Sequence, residues 1–174
     1  MALKKIILFK GGKNMSVEMV KKYLKNYGLD NKVREFKESS ATVELAAKAA
    51  GVIPARIAKT LSCKVGDHAI LVVTAGDTKV DNKKYKEKFG LKAKMLQPEE
   101  VMEYTGHAIG GVCPFATPDA NVETYLDESM KRFETVYPAA GSSNSCVEVT
   151  MEELYKASKA KEWVDVCKFL DSVV

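Results

Sequence analysis

A lysine stands in the middle of a stretch whose alternation of residue types predicts a β-strand, "ARIAKTLSC" over residues 55–63. With a period of two, small or mildly polar residues at even positions occupy one face, and Lys59 shares the other face with apolar residues. Lysine is almost never fully buried unless it is paired. Two interpretations are therefore open. Either the ammonium reaches water past its apolar neighbours, or Lys59 lines a pocket that receives an anion such as a phosphate.

A loop rich in glycine and proline, "GHAIGGVCPFATP" over residues 106–118, is the second candidate feature. Gly110 and Gly111 permit backbone angles that are closed to other residues. Pro114 fixes its own φ and biases Cys113 towards an extended conformation. A rigid loop of this kind can aim backbone N–H groups at a substrate oxygen. A plain surface turn is the alternative interpretation.

The same loop contains a possible nucleophile, Cys113, six residues after His107. Covalent catalysis requires the thiol and the imidazole to lie within hydrogen-bonding reach of each other, and the sequence does not show that contact. A structural or pocket-lining cysteine is the other interpretation. The small residues "AAGSSNSC" at 139–146, with Gly141 among them, form either a second pocket loop or a β-turn.

Composition places the chain among ordinary globular proteins, with 174 residues, 46% hydrophobic and 29% charged. This is about the length of one domain, and it suffices for a core without disulfides or structural metal. The four cysteines include no C-x-x-C pair and there are only two histidines, which argues against a zinc site. We expect no metal, no cofactor, and reduced thiols in a cytoplasmic protein. No apolar run approaches the ~20 residues of a membrane span.

The net charge is +4, from 27 basic and 23 acidic residues. Such a mild excess permits contact with one end of a nucleic acid but does not suggest wrapping of a long duplex. Residues 1–14 are either an added edge strand or a non-native extension that precedes a natural start at Met15, because Ser16 is a good helix N-cap. We therefore expect one domain over residues 15–174.

Helical and strand patterns are interleaved along the chain, which predicts an α/β fold, a single domain with a mixed β-sheet flanked by helices. The predicted helices start at Ser16, Thr42, Asp81 and Pro98, and the capping box of Thr150 and Glu153 marks a further helix start. A last helix is predicted to carry Trp163, Val166, Cys167 and Leu170. The predicted strands are 32–36, 57–65, 68–74 and segments within "FETVYP" and "SCVEVT".

Together these features resemble the YbaK/ProX/EbsC family of aminoacyl-tRNA deacylases. The resemblance runs from about residue 16 to 158 and follows the order "TVELAAKAAGV", "IAKTL", "ILVVTAGD", "GHAIGGVCPF", "VYPAAG". Its most specific marks are the lysine of Lys59-Thr60-Leu61 and the loop from Gly110 to Pro114. The resemblance implies the editing-domain fold, with a mixed sheet flanked by helices, and hydrolysis of the ester that joins a wrong amino acid to tRNA, most often the tRNA for proline.

The resemblance also implies roles for individual residues. Lys59 would hold the phosphate of the tRNA 3′ end, and the loop Gly110, Gly111, Val112, Cys113 and Pro114 would position the aminoacyl carbonyl through backbone groups. The pocket would be lined by Thr60, Phe36, Ala139, Gly141 and Ser142. The family uses no metal and no obligatory side-chain nucleophile, so that water or a group on the substrate itself attacks. Prolyl-tRNA synthetase is the implied protein partner.

Two positions depart from the cysteine-specific members of that family. Those members have a serine near the position of Ala139 and an acidic residue near that of Cys146, and this chain has neither. Cys113 also stands where serine or threonine is common. These departures argue against specificity for cysteine, and the amino acid removed stays open among alanine, serine, threonine and other small residues. A non-catalytic module that binds an amino acid or a tRNA end is the alternative function.

Overall fold

The structure is a computed structural model that describes residues 15–117 and 122–171. The prediction for residues 1–14 lies outside the described residues. The helices are α1 Met15–Lys25, α2 Val43–Ala50, α3 Asn82–Phe89, α4 Pro98–Thr105 and α5 Met151–Ala157. The strands are β1 Val33–Glu35, β2 Ile57–Val65, β3 His68–Ala75, β4 Thr78–Val80, β5 Val122–Asp127, β6 Thr135–Pro138, β7 Ser145–Val147, β8 Val149–Thr150, β9 Trp163–Val164 and β10 Cys167–Phe169.

A six-stranded mixed sheet in the order β8-β6-β2-β3-β5-β9 forms the centre of the fold. β2 and β3 form an antiparallel hairpin, and the turn between them places Gly66 at φ +61°, a conformation that favours glycine. The pairs β2–β6, β3–β5 and β5–β9 are parallel. Two two-stranded ladders, β1–β7 and β4–β10, complete the pairing. The predicted single α/β domain with a mixed sheet and flanking helices is confirmed.

Local signals in the sequence define most helix ends. Thr42 accepts a hydrogen bond from the Leu45 N–H at the start of α2, and Asp81 caps α3 through two backbone N–H groups. Thr150 and Glu153 form the predicted capping box of α5. α1 begins at Met15, one residue before the predicted cap. Within the described part of the chain, no helix has the length and apolar character needed to cross a membrane.

The buried core lies mainly between the sheet and the helices α1 and α5. It includes Val20, Leu24, Val73, Phe115, Leu126 and Leu154. A second cluster surrounds Tyr85 of α3 and contacts the face of β2 that carries Cys63. The two sides of β2 therefore belong to different packing environments, as the alternation in its sequence predicts.

The predicted last helix through Trp163 and Leu170 is wrong. α5 ends at Ala157, and the following residues form β9 and β10. β9 extends the edge of the sheet beside β5, and β10 pairs with β4. The buried carboxylate of Asp127 fixes this segment by accepting a hydrogen bond of 3.0 Å from the Val166 N–H. The spacing of apolar residues fits a helix as well as two short strands, so the long-range partners decide between them.

Candidate active site

The edge of β2 that faces away from β3 is covered at its two ends and open in the middle. At one end Ile57 and Ala58 pair with β6. At the other end residues 94–96 run along β2, because the Lys64 N–H donates to the Lys94 carbonyl and the Leu96 N–H donates to the Ser62 carbonyl. Among the described residues, no strand pairs with the intervening residues 59–61 on this edge. A cavity of about 310 Å³ lies at this opening.

The backbone polar groups of Thr60 face the opening. Backbone groups of successive strand residues point alternately to the two edges, and the hydrogen bonds of Ser62 and Lys64 show that even-numbered residues of β2 point away from β3. The N–H and C=O of Thr60 therefore project towards the cavity. Its side-chain oxygen is also buried, with no hydrogen-bond partner in the described structure. A buried polar group of this kind is costly to leave unpaired, so a ligand that pairs with Thr60 would be stabilised.

Three loops meet on the other side of the opening. Gly110, at φ +89°, lies between the side chains of Ala41 and Ser143, because a Cβ atom built on it would be 3.5 Å and 3.4 Å from theirs. Gly111 donates its N–H to the Ala108 carbonyl. Ile109, Gly110 and Val112 of this loop line the cavity.

Lys59 lines the cavity and is half-buried. Its ammonium donates to the carbonyl of Thr78, which uses one of three N–H groups. Burial lowers the pKa of the Lys59 ammonium below its ordinary value, against the opposing influence of Asp77 and Glu44. The lysine is thus held at the cavity wall by a backbone contact and has donors to offer an anion.

Cys113 and His107 are in contact, but behind the cavity wall. The Cys113 Sγ lies 3.5 Å from the His107 Nε2, which also lies 2.7 Å from the Phe115 carbonyl oxygen. The thiol is fully buried and the imidazole is 2% exposed. Burial lowers the pKa of His107, but the Cys113 sulfur and the Phe115 carbonyl outweigh burial and raise it to about 9. The pair packs within the core, and neither residue lines the cavity.

The other predicted site residues fall into two groups, those that line the cavity and those that pack behind it. Ala139 lines the cavity directly opposite Cys146, its bridge partner, which lines it too. Burial raises the pKa of the Cys146 thiol to about 11, so this sulfur is neutral near pH 7. The remaining members do not line the cavity and pack behind it: Phe36, Gly111, Cys113, Pro114, Gly141 and Ser142.

Sequence reasoning missed much of the wall. The missed residues come from the start of α2, from the segment before α4, from α4 and from the glycine–proline loop: Ser40, Thr42, Val43, Leu96, Val101 and Ile109. Their types are those of ordinary caps and core positions. The helix cap at Thr42 was the one available signal, and it indicates a helix end rather than a site.

The chemical character of the wall is apolar with hydroxyl and backbone groups. Among its described residues there is no histidine, aspartate or glutamate. Residues 15–117 and 122–171 likewise contain no cluster of three side chains of the types that hold metal ions. The wall therefore offers hydroxyl groups, backbone groups and the ammonium of Lys59 to a ligand, and no carboxylate or imidazole from its described residues.

Comparison with known proteins places the chain in a defined family. The sequence model of the aminoacyl-tRNA editing domain matches residues 37–157, which include β2, the glycine–proline loop and the loop at 139–146. The uncharacterized protein YwhH of Bacillus subtilis is 54% identical over 155 residues, covering 88% of this chain and 98% of that protein.

Solved structures share the fold over nearly the whole chain. A proposed trans-editing enzyme for prolyl-tRNA synthetase is 30% identical with a TM-score of 0.80, over 88% of this chain and 98% of the other. The hypothetical protein APE2540 is 29% identical with a TM-score of 0.76, over 86% and 99%.

Proposed function

From the premise that the chain belongs to the aminoacyl-tRNA editing domain family, we propose that it is a trans-editing hydrolase, a deacylase of mischarged aminoacyl-tRNA. The substrate is tRNA for proline carrying a small wrong amino acid such as cysteine or alanine. The similar structure of a proposed trans-editing enzyme for prolyl-tRNA synthetase supports this choice and makes that synthetase the expected partner. The site of action is the cytoplasm, where tRNA is aminoacylated.

The observation that carries the proposal is the opening in the edge of β2 beside the cavity. An aminoacyl ester presents an α-ammonium and a carbonyl oxygen, and Thr60 offers the matching acceptor and donor. The Thr60 C=O would accept from the ammonium, and its N–H and hydroxyl would donate to substrate oxygens. Gly110 and Val112 would polarise the ester carbonyl from the opposite wall. Lys59 would contact the terminal phosphate through a charge-assisted hydrogen bond.

The nucleophile in this proposal is water; attack by the neighbouring hydroxyl of the terminal ribose would only move the acyl group to that hydroxyl, and water would still have to cleave the resulting ester. In the net reaction, water oxygen bonds to the carbonyl carbon and the bond to the ribose oxygen breaks. The ribose oxygen takes one of the two protons of the water and the other is released as the new carboxyl group ionises, which leaves the free amino acid and the tRNA hydroxyl. Among the described wall residues none supplies an imidazole or carboxylate, so positioning and polarisation would carry the rate increase.

Small residues on the cavity wall support a small substrate. Ala58, Ala139 and Cys146 leave room beside the β2 opening, and none is charged. A synthetase gains only about 1–3 kcal/mol per methylene of discrimination. A second site that accepts smaller amino acids and excludes the cognate one would therefore add specificity.

The test is the release of amino acid from alanyl-, cysteinyl-, seryl- and prolyl-tRNA for proline, compared between wild type and Thr60→Val. The valine has the shape of threonine without its hydroxyl, so folding should persist while hydrolysis falls. Tyr85→Phe is the matched control, since it removes a hydroxyl on the other side of β2. Binding without release of any amino acid would favour the non-catalytic module instead.

A further inference from the structure

Positive charge is concentrated in one short segment of the chain. Residues 79–94 contain seven lysines and two acidic residues, a net charge of +5, whereas the rest of the chain carries 20 basic and 21 acidic residues. The small net charge of the whole protein is therefore the sum of one strongly basic segment and a slightly acidic remainder. Such asymmetry indicates a local electrostatic function rather than general solubility.

This segment leads directly to the cavity. In α3, Tyr85 is buried against the sheet and Phe89 packs beside it, which leaves Lys83 and Lys86 exposed. The chain continues through Lys92 and Lys94, also exposed, into Met95 at the cavity wall. The Lys94 carbonyl is held by the Lys64 N–H of β2 at 2.7 Å, so the end of the basic segment is fixed beside the opening.

Part of the charge is neutralised and part is not. Three of the seven lysines form ion pairs: Lys84 with Asp165 at 2.9 Å, Lys79 with Asp171 at 3.9 Å, and Lys88 with Glu162. Within the described ranges no carboxylate lies within 4.0 Å of the four remaining exposed ammonium groups, those of Lys83, Lys86, Lys92 and Lys94. We call these four residues the lysine surface. The exposed carboxylates Glu99 and Glu103 of α4 follow it in sequence and limit its extent.

We propose that the lysine surface binds the sugar–phosphate backbone of the tRNA acceptor stem next to the 3′ end. This inference rests on the proposed function, because a 3′ end held in the cavity brings the adjoining phosphates to the residues that surround the cavity. Lysine ammonium groups are flexible point charges that suit phosphate contacts without base recognition. The surface thus supplies affinity for the acceptor stem, while the cavity selects the amino acid.

The experiment compares two quadruple variants that remove the same charge. One carries Lys83→Gln, Lys86→Gln, Lys92→Gln and Lys94→Gln. The control carries Lys22→Gln, Lys25→Gln, Lys156→Gln and Lys159→Gln, four exposed lysines of α1, α5 and the residues after α5. Each is tested for binding to a fluorescent acceptor-stem hairpin and to the trinucleotide CCA between 50 and 300 mM salt.

We expect the lysine-surface variant to bind the hairpin about tenfold more weakly or worse at low salt, with a salt slope lower by about 2 to 4, since each lost phosphate contact removes about one unit. Binding to CCA and hydrolysis of an aminoacyl-CCA ester should match wild type. Equal hairpin affinity and salt slope in the two variants would overturn the proposal. Failure of wild type to hydrolyse any aminoacyl ester would refute the proposed function, and the binding comparison would still decide whether the surface contacts RNA.

Discussion

A Cβ atom built on Gly111 would lie 2.8 Å from the Cα atom of Ser142, so the two loops beside the cavity touch backbone against backbone. Glycine is needed at position 111 because there is no room for a side chain there, and not because the backbone has an unusual φ. It also gives the loop at 139–146 a part in the site, because it holds the glycine–proline loop in place.

Gly111→Ala should separate these loops. The added methyl group also meets the Ser142 nitrogen at 2.9 Å, and overpacking of this kind costs about 1–3 kcal/mol. We expect a lower melting temperature and at least a tenfold loss of deacylation, measured by thermal unfolding and amino acid release. Gly28→Ala is the control, since φ is +70° there but no atom lies within 4 Å. Gly28→Ala should lower the melting temperature without lowering the rate of deacylation. Equal rates of deacylation in Gly28→Ala and Gly111→Ala would show that the loop contact does not matter for catalysis.

Lys59→Met should fold but lose most deacylation. A charge-assisted contact with phosphate is worth roughly 1.5–3 kcal/mol, or about one to two orders of magnitude in binding. Arginine should restore only part of the activity, because its planar group differs in shape from an ammonium. Single-turnover hydrolysis and circular dichroism measure the two effects, with Lys22→Met as control. Similar rates of hydrolysis in wild type and Lys59→Met would mean that Lys59 has only a structural role, through its hydrogen bond to Thr78.

Cys113→Ser should retain substantial hydrolysis. The sulfur is fully buried behind the wall, and the serine hydroxyl can still hydrogen-bond to the Phe115 carbonyl. Mass spectrometry of the wild-type protein during turnover should show no acyl adduct. Trapping such an adduct on Cys113, or complete inactivity of a folded serine variant, would establish covalent catalysis.

Stability should fall as the pH rises from about 6.5 to about 9, because the folded protein holds a proton on His107 whose pKa is raised from 6.5 to about 9. Below about pH 6.5, His107 is protonated in both the folded and the unfolded state, and its full contribution to the free energy of unfolding is present. The full shift corresponds to about 3 kcal/mol. Urea midpoints across this range measure it, and Cys113→Ser should flatten the dependence by removing the sulfur. A wild-type midpoint that is constant with pH would contradict the assignment.

Ala139→Val should narrow the cavity and change its selectivity. The larger side chain stands opposite Cys146 on the wall, so we expect a greater loss with cysteinyl- and seryl-tRNA than with alanyl-tRNA. The ratio of hydrolysis rates for these substrates is the measurement. Ala49→Val on α2, off the wall, should leave the ratio unchanged. An equal loss with every substrate would mean that Ala139 does not contact the amino acid.

Signals between neighbouring residues predicted most helices and strands correctly, but they did not predict which distant segments pack together. Caps such as Thr42 and Asp81, and the turn at Gly66, depend on neighbouring residues and are visible in the sequence. β9 and β10 are short strands, and they exist because β5 and β4 offer them partners far away in the chain. The wall residues Leu96 and Val101 could not be predicted either, because long-range contacts place them. Hydrogen bonds to Ser62 and Lys64, which are distant in sequence, bring their segment to the site.

The opening beside Thr60 also bears on how the protein avoids aggregation. Free N–H and C=O groups on a strand edge are a template on which unfolded chains can pair, and most proteins block such edges with charge or proline. Here β6 and residues 94–96 close the edge on both sides, and only residues 59–61 remain uncovered in the described structure. A foreign strand of ordinary length, about five residues, does not fit between these covers, whereas a single aminoacyl group does. The protein can thus leave unpaired backbone groups open to the proposed aminoacyl substrate without exposing them to other polypeptides.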